Sequence, residues 1–238
     1  MARKYLSRLA LSALVVSVGC IDASKQAMCP AGPGAPKECS VAARPAEDGL
    51  IDDFEDNDNQ IAKIADRGGY WFTSHDPNGS TIDPTPFAIS AGGAGSEKGL
   101  HVYGQTSSDS AAWGSLVGAS FVEQGVYDAS KYSGISFKAK VGPKSTKNIR
   151  FQVGDVNTHP DGGVCKNCWN HFGKDLQLTD DWKEYRISFA ELQQQPGWGD
   201  RFPALTPTKL IAFYWAISPA KSFDLWIDDI RFLECPAP

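Results

Sequence analysis

Apolar and polar residues alternate with a period of two in several short segments, and helical periodicity is scarce. Residues 134–141 and 149–153 alternate in this way, and residues 210–217 are apolar on both faces, as in a central strand. Turn sequences such as Gly-Gly and Pro-Asp-Gly-Gly separate these segments without gaps long enough for helices. The pattern therefore predicts an all-β chain that folds as an antiparallel β-sandwich of the jelly-roll type, with one short helical turn within residues 189–195.

The first residues have the features of an export signal. Three basic residues precede a short apolar run at residues 9–18, which ends just before Cys20. The run is too short to span a bilayer, and its end resembles a bacterial lipoprotein cleavage site, although Ser17 stands where leucine is usual. We expect residues 1–19 to be removed and Cys20 to be acylated, which gives an outer-membrane or cell-surface lipoprotein. An ordinary secretory signal is the alternative.

The next residues predict a tether and a single folded domain. Residues 20–48 are rich in alanine, proline and glycine without apolar periodicity, as in a flexible linker, and the domain is expected at residues 49–235. The chain has six cysteines, and in an exported protein these predict disulfides. Cys39 can pair with Cys29 or with Cys235, and the sequence leaves both pairings open.

Charge and motifs exclude several classes of function. The net charge of -5 argues against binding to nucleic acid, which needs clustered lysine and arginine. The sequence holds no GxSxG elbow, no P-loop, no dinucleotide fingerprint and no HExxH. Its 28 acidic residues show no spacing that singles out a glycosidase pair, so we predict no catalytic residues.

Acidic residues cluster near both ends of the predicted domain, at residues 50–56 and 225–232. Carboxylates on neighbouring strands repel each other unless a hard cation lies between them, and Ca²⁺ takes six to eight oxygen ligands of this kind. The alternative is a set of solvated acids in turns.

Three motifs together resemble a known family. They are the opening Ile-Asp-Asp-Phe-Glu, the closing Trp-Ile-Asp-Asp-Ile-Arg-Phe, and Tyr-Ser-Gly-Ile-Ser-Phe-Lys-Ala-Lys at residues 132–140. In order and spacing they look like the galactose-binding-like jelly rolls of bacterial carbohydrate-binding modules, most closely cellulosomal β-glucan-binding modules, over residues 49–233. The resemblance implies a structural Ca²⁺ held by Asp53, Glu55 and Asp228. It also implies a concave sheet face that binds one glycan chain.

The outward positions of the predicted strands supply side chains suited to such a face. An aromatic ring stacks on the apolar face of a sugar, and planar amide or guanidinium groups bond to its hydroxyls. Trp71 is a further candidate platform, although tryptophans of this kind more often fill cores. The predicted ligand-binding residues are His101, Tyr103, Trp113, Arg150, Gln152, His171 and Tyr214.

The segment 155–175 is the most unusual part of the sequence. It holds Cys165-x-x-Cys168 together with His159 and His171, which could complete a tetrahedral zinc site. In an oxidising compartment we expect a local disulfide between Cys165 and Cys168 instead, which would stiffen the loop beside the binding face.

These features predict an exported, lipid-anchored module that binds a β-glucan-like polysaccharide without cleaving it. We expect a monomer that meets the membrane only through its lipid. One rival is a jelly-roll polysaccharide lyase, in which Tyr or His abstracts a proton and Arg or Gln neutralises a uronate. Another is a surface structural protein whose exposed face meets a protein partner.

Overall fold

The computed structural model describes residues 34–236, which form two antiparallel sheets. Cys20 and Cys29 lie outside the described residues, so the predicted acylation and the Cys29 pairing are not addressed by the structure. The eleven strands are β1 (Arg44–Asp52), β2 (Trp71–His75), β3 (Ile89–Ala91), β4 (Lys98–Gln105), β5 (Ser115–Ser120), β6 (Gly134–Val141), β7 (Asn148–Asp155), β8 (Phe172–Gln177), β9 (Lys183–Ser188), β10 (Leu210–Ile217) and β11 (Ser222–Glu234).

The strands divide into two sheets that face each other across one core. The six-stranded sheet runs β3-β4-β11-β6-β9, with β1 also paired to β11, and the five-stranded sheet runs β2-β5-β10-β7-β8. Every one of these pairs is antiparallel. The predicted fold class, an all-β antiparallel sandwich, is confirmed. Two-residue alternation explains it, because each sheet keeps one face for the core and one for its outer surface.

Aromatic side chains fill the space between the sheets. Trp215 of β10 is fully buried, and Phe137 of β6 meets it edge-on with ring centroids 5.0 Å apart. Trp71 of β2 lies in the same core, stacked at 6.3 Å on Trp215 and 2 % exposed. Trp71 is therefore a core residue, and the suggestion that it forms a ligand platform is wrong.

The first and last strands lie side by side, as the acidic motifs predicted. β1 pairs with β11, and β11 is irregular at Asp228 and Asp229, where the register shifts and Asp229 adopts a φ of 52°. β1 begins at Arg44, inside the segment expected to be a tether. Its early residues belong to the sheet because Ala46 is buried and Arg44 is paired with Glu234.

Helical structure is limited to three short 3₁₀ turns in the described residues, at 160–162, 189–191 and 207–209. The second lies within the segment where a helical turn was predicted. No helix in the part of the chain that the structure describes is long and apolar enough to cross a membrane.

Two disulfides are present, and they differ greatly in the length of chain they close. Cys39 and Cys235 are 196 residues apart in sequence, and their bond joins the two ends of the domain. This is one of the two pairings that the sequence left open. Cys165 and Cys168 form the predicted local disulfide, with three residues of separation.

Loop length predicts that these disulfides contribute unequally to stability. A disulfide restricts the unfolded chain more when the loop is longer, so replacing Cys39 and Cys235 together by serine should lower the free energy of unfolding by about 2–4 kcal/mol. The matched double replacement of Cys165 and Cys168 should cost much less. Denaturant titrations of both variants test this, and equal losses would contradict it.

Candidate functional site

A cleft of about 1070 Å³ lies on the outer face of the five-stranded sheet. Side chains of β2, β5, β7 and β10 form its floor, and residues of the segments before β5, between β7 and β8, between β9 and β10, and between β10 and β11 form its rim. No acidic side chain of the described residues lines it. The cleft thus combines a floor of strand residues with walls made from four separate loops.

Strand register brings the floor residues together. Tyr214 of β10 lies opposite Gln152 of β7 and opposite Gly118 of β5, and Phe72 of β2 lies opposite Gly118 on its other side. A Cβ atom at position 118 would lie 2.8 Å from the Tyr214 ring. The absent side chain lets the Phe72 and Tyr214 rings meet edge-on with centroids 5.9 Å apart. These rings form an apolar floor beside the Gln152 amide.

Arg150 is held in a fixed position at one side of the floor. Its Nη1 donates to Asp175 Oδ1 at 2.9 Å, and its Nη2 donates to the Gln193 carbonyl at 2.6 Å. Gly173 makes room for it, because a Cβ there would lie 2.9 Å from Arg150 Nε. The exposed Asp175 carboxylate balances the guanidinium charge, so Arg150 presents oriented donors rather than an unpaired cation.

Three tryptophans stand at the rim of the cleft. Trp113 precedes β5, Trp169 lies between β7 and β8, and Trp198 lies between β9 and β10. Their exposed fractions are 48 %, 55 % and 45 %. Because indole rings lose favourable burial when they face water, three of them around one cleft indicate a surface for a ligand with apolar faces.

A polar lock joins the two loops that carry Trp169 and Trp198. The buried Asn170 side chain donates to the carbonyls of Gln195 and Trp198 at 2.8 and 2.7 Å, and accepts from the Gln195 amide at 2.9 Å. Gln194 Nε2 donates to the Asn170 carbonyl at 2.7 Å, and Asp200 accepts from the backbone amides of residues 166 and 167. The two loops therefore form one wall.

His171 lies beneath this wall as a neutral ring. It stacks on Tyr214 with centroids 4.9 Å apart and an angle of 3° between the rings, and it is 3 % exposed. Burial and, to a smaller extent, the nearby His159 lower the pKa of His171 to about 3. Burial also raises the pKa of Tyr214 above its ordinary value. Both side chains are uncharged at neutral pH.

The structure brings together most, but not all, of the predicted ligand-binding residues. Those that line the cleft are Trp113, Arg150, Gln152, His171 and Tyr214.

His101 and Tyr103 lie elsewhere, and the prediction that they share this face is wrong. They belong to β4 of the six-stranded sheet, where His101 stacks at 3.7 Å on Trp226 and bonds to Asp224. Alternation identified them correctly as outward-facing, but it cannot tell which of the two sheets a strand joins.

The sequence prediction did not include several residues that line the cleft. Phe72, His159, Trp169 and Trp198 are the main ones. Trp169 and Trp198 were visible in the sequence, beside the Cys-x-x-Cys pair and within Gln-x-Gly-Trp-Gly, but segments without periodicity give no direction for a side chain. The signal that could have identified them in the sequence was a tryptophan within a glycine-containing segment that lacks strand periodicity.

The three predicted calcium ligands, Asp53, Glu55 and Asp228, do not form one cluster of carboxylates. Asp228 Oδ2 accepts from Ser96 Oγ and the Ala94 amide, both at 2.7 Å, and Glu55 Oε1 accepts from the Lys98 amide at 2.8 Å. Asp228 therefore meets the short segment before β4, and Glu55 meets the first residue of β4. Asp53 Oδ1 accepts instead from the Glu55 amide at 3.4 Å. Among the described residues, no group of three or more acidic, histidine or cysteine side chains is arranged to hold a metal.

Comparisons with known proteins agree with the fold. The sequence profile of the carbohydrate binding domain of family 11 matches residues 37–234. No curated protein sequence matches the chain significantly.

Solved structures of carbohydrate-binding modules share the fold at low sequence identity. The family 11 module from Clostridium thermocellum, in complex with a β-1,3-1,4-mixed-linked tetrasaccharide, is 18 % identical, and the match covers 81 % of this chain and 100 % of that chain with a TM-score of 0.56. The family 11 module of a cellulosomal cellulase from the same organism is 20 % identical, over 83 % and 96 % of the two chains, with a TM-score of 0.53. A family 30 module from a cellulosomal cellulase of this organism is 12 % identical, over 76 % and 98 %, with a TM-score of 0.53.

The depressed pKa of His171 predicts a loss of stability in mild acid. The unfolded chain binds a proton at this histidine below about pH 6.5, whereas the folded chain does not until about pH 3, so stability falls as pH falls through that window. Between pH 7 and pH 5 the native protein should lose about 2 kcal/mol more than His171→Phe. Denaturant titrations at both pH values measure this. An equal loss in His171→Phe and in the native protein would refute the assignment.

Proposed function

Because this chain belongs to the carbohydrate binding domains of family 11, we propose that it binds a single β-glucan-like polysaccharide chain in the cleft, without cleaving it. The observation that carries the proposal is the set of three half-exposed tryptophans around a floor that combines aromatic rings with the Gln152 amide and the Arg150 guanidinium. Sugar rings offer apolar CH faces and hydroxyl edges, and the cleft offers matching surfaces for both. The family 11 structure with a β-1,3-1,4-mixed-linked tetrasaccharide supports a glucan of this type.

In this arrangement the polar groups beside the apolar floor orient the ligand, and the tryptophans give most of the binding energy. The Gln152 amide and the Arg150 guanidinium lie side by side on β7 and bond to hydroxyls at the edge of the chain. Arg150 is already fixed by Asp175 and Gln193, so little side-chain entropy is lost when a ligand binds.

The same geometry favours binding over the lyase reaction. A lyase needs a base that can take a proton near neutral pH, and burial raises the pKa of the Tyr214 hydroxyl away from that range. Neutralisation of a uronate needs a free cation, whereas Arg150 is paired with Asp175.

We also propose that Ca²⁺ stabilises the segment between β3 and β4 without touching the sugar. Asp228, Glu55, the Ser96 hydroxyl and the Lys98 carbonyl supply hard oxygen ligands there, and Ser96 Oγ lies 2.7 Å from Asp228 Oδ2 and 3.3 Å from the Lys98 oxygen. Such a donor set suits Ca²⁺ and not a softer metal. Asp53 supports the set through its bond to the Glu55 amide.

The proposal extends to export and to a lipid anchor at Cys20. Two disulfides fit an oxidising compartment, and the lipoprotein-like segment before Cys20 supplies the route. In that setting the module acts as a monomer that holds polysaccharide at the cell surface.

The tryptophans give the direct test of the binding site. Each of Trp113→Ala, Trp169→Ala and Trp198→Ala should weaken binding to mixed-linkage β-glucan tenfold or more, since each removes about 1.5–3 kcal/mol of burial on binding. Isothermal titration measures the affinity. Tyr103→Ala is the matched control, because Tyr103 is as exposed as Trp113 but lies on the other sheet, and it should bind like the native protein. A loss in Tyr103→Ala with unchanged tryptophan variants would place the site elsewhere.

Metal removal tests the calcium proposal separately. Excess EDTA should lower the melting temperature of the native protein, and added Ca²⁺ should restore it, because a ligand that binds the folded state stabilises it. Glu55→Gln should lack this response, whereas Glu47→Gln, an exposed acid of β1, should keep it. A melting curve that is identical with and without EDTA would rule out a stabilising Ca²⁺.

A further inference from the structure

Three buried polar atoms at the cleft have no hydrogen-bond partner among the described residues. They are Arg150 Nε and, on the two rings that stack at the floor, His171 Nε2 and Tyr214 Oη. A buried polar atom without a partner costs about 1–3 kcal/mol, so a partner from outside the protein is expected. All three side chains line the cleft, and a bound molecule or a water can supply that partner.

The surrounding hydrogen bonds determine which nitrogen of His171 carries the proton. Asp155 is fully buried, and its carboxylate accepts from the amides of Asn157, Thr158 and Thr206 and from the Thr158 hydroxyl at 3.1 Å. A carboxylate is a stronger acceptor than a neutral imidazole, so the single hydroxyl proton of Thr158 is donated to Asp155. The Thr158 oxygen, 2.9 Å from His171 Nδ1, must then accept, and Nδ1 carries the ring proton.

This leaves His171 Nε2 as an acceptor in a fixed place. The ring is neutral because burial disfavours its charged form, and with the proton on Nδ1 the other nitrogen has only a lone pair. The ring stacks on Tyr214 and passes so close to Gly154 that a Cβ atom there would lie 2.9 Å from it. Only a group that donates a hydrogen bond can pair with this atom.

We propose that His171 Nε2 accepts a hydrogen bond from a hydroxyl of a neutral sugar, and that Asp155 and Thr158 are positioning residues that fix this acceptor. The inference rests on the proposed function and adds one specific contact to it. A sugar hydroxyl has the proton that this acceptor needs. Trp169, which also lines the cleft and is more than half exposed, packs edge-on against His171 with ring centroids 5.9 Å apart.

Nitrogen NMR of the histidine rings tests the first half of the inference without any ligand. Long-range proton–nitrogen spectra of the labelled protein should show His171 as the Nδ1–H tautomer. Thr158→Val should lose that signature, because Nδ1–H then has no acceptor, and Thr158→Ser should restore it. An Nε2–H tautomer in the native protein would overturn the inference and leave the proposed glycan binding intact.

Isothermal titration with the β-1,3-1,4-mixed-linked tetrasaccharide tests the second half. His171→Phe keeps a stacked ring but removes the acceptor, and it should bind about tenfold more weakly. Thr158→Val should bind several-fold more weakly and Thr158→Ser nearly as well as the native protein, while the exposed-histidine variant His75→Phe should be unchanged.

The outcomes separate this inference from the function on which it rests. If the native protein binds the tetrasaccharide and His171→Phe and Thr158→Val bind it equally well, a water alone satisfies Nε2 and the inference fails while the function stands. If the native protein binds no glycan, the proposed function and this inference fail together.

Discussion

The register of β10 between β5 and β7 is the constraint on which both the core and the cleft depend. Along this strand Trp215 points into the core, while Tyr214 points out to the cleft floor, opposite Gln152. Because successive side chains of a strand alternate between faces, a slip of one residue would exchange these two roles. The slip would expose the Trp215 ring, which contacts aromatic side chains from both sheets, so packing of the core also fixes the binding surface. The packing that fixes the core side chains of β10 therefore also positions the side chains of the cleft floor.

Glycines at outward positions give this floor its shape. Gly118, Gly154 and Gly173 lie where added Cβ atoms would meet Tyr214, His171 and Arg150 at 2.8 to 2.9 Å. Without these side chains, two rings and a guanidinium can lie along the sheet instead of standing away from it. A strand interior normally loses stability at glycine, so three such positions under one cleft indicate that close approach is being retained at some cost in strand stability.

The sequence predicted those parts of the molecule that short-range patterns specify. Alternation in β6 and β7 and the apolar run of β10 predicted the sandwich, and it placed Arg150 and Gln152 outward on one strand. It failed for His101 and Tyr103, because whether β4 pairs with β11 or with β10 is decided by long-range packing that leaves no mark on the local pattern. Trp169 and Trp198 were missed for a different reason. The hydrogen bonds of Asn170 across two loops set their directions. Side-chain direction in a loop follows no sequence periodicity, so the sequence pattern cannot predict it.

Those loops also explain how a shallow surface can bind a flexible, hydrated chain. A polysaccharide loses conformational freedom when it binds, and its hydroxyls give up bonds to water, so a mobile site would leave little net affinity. Here the polar lock at Asn170, the local disulfide and the ion pair of Arg150 hold the contacting groups in place before the ligand arrives. Most of the conformational entropy of the site is therefore lost during folding and not when the ligand binds. The large aromatic core stabilises the sandwich, so the fold tolerates the exposed aromatic side chains of the cleft.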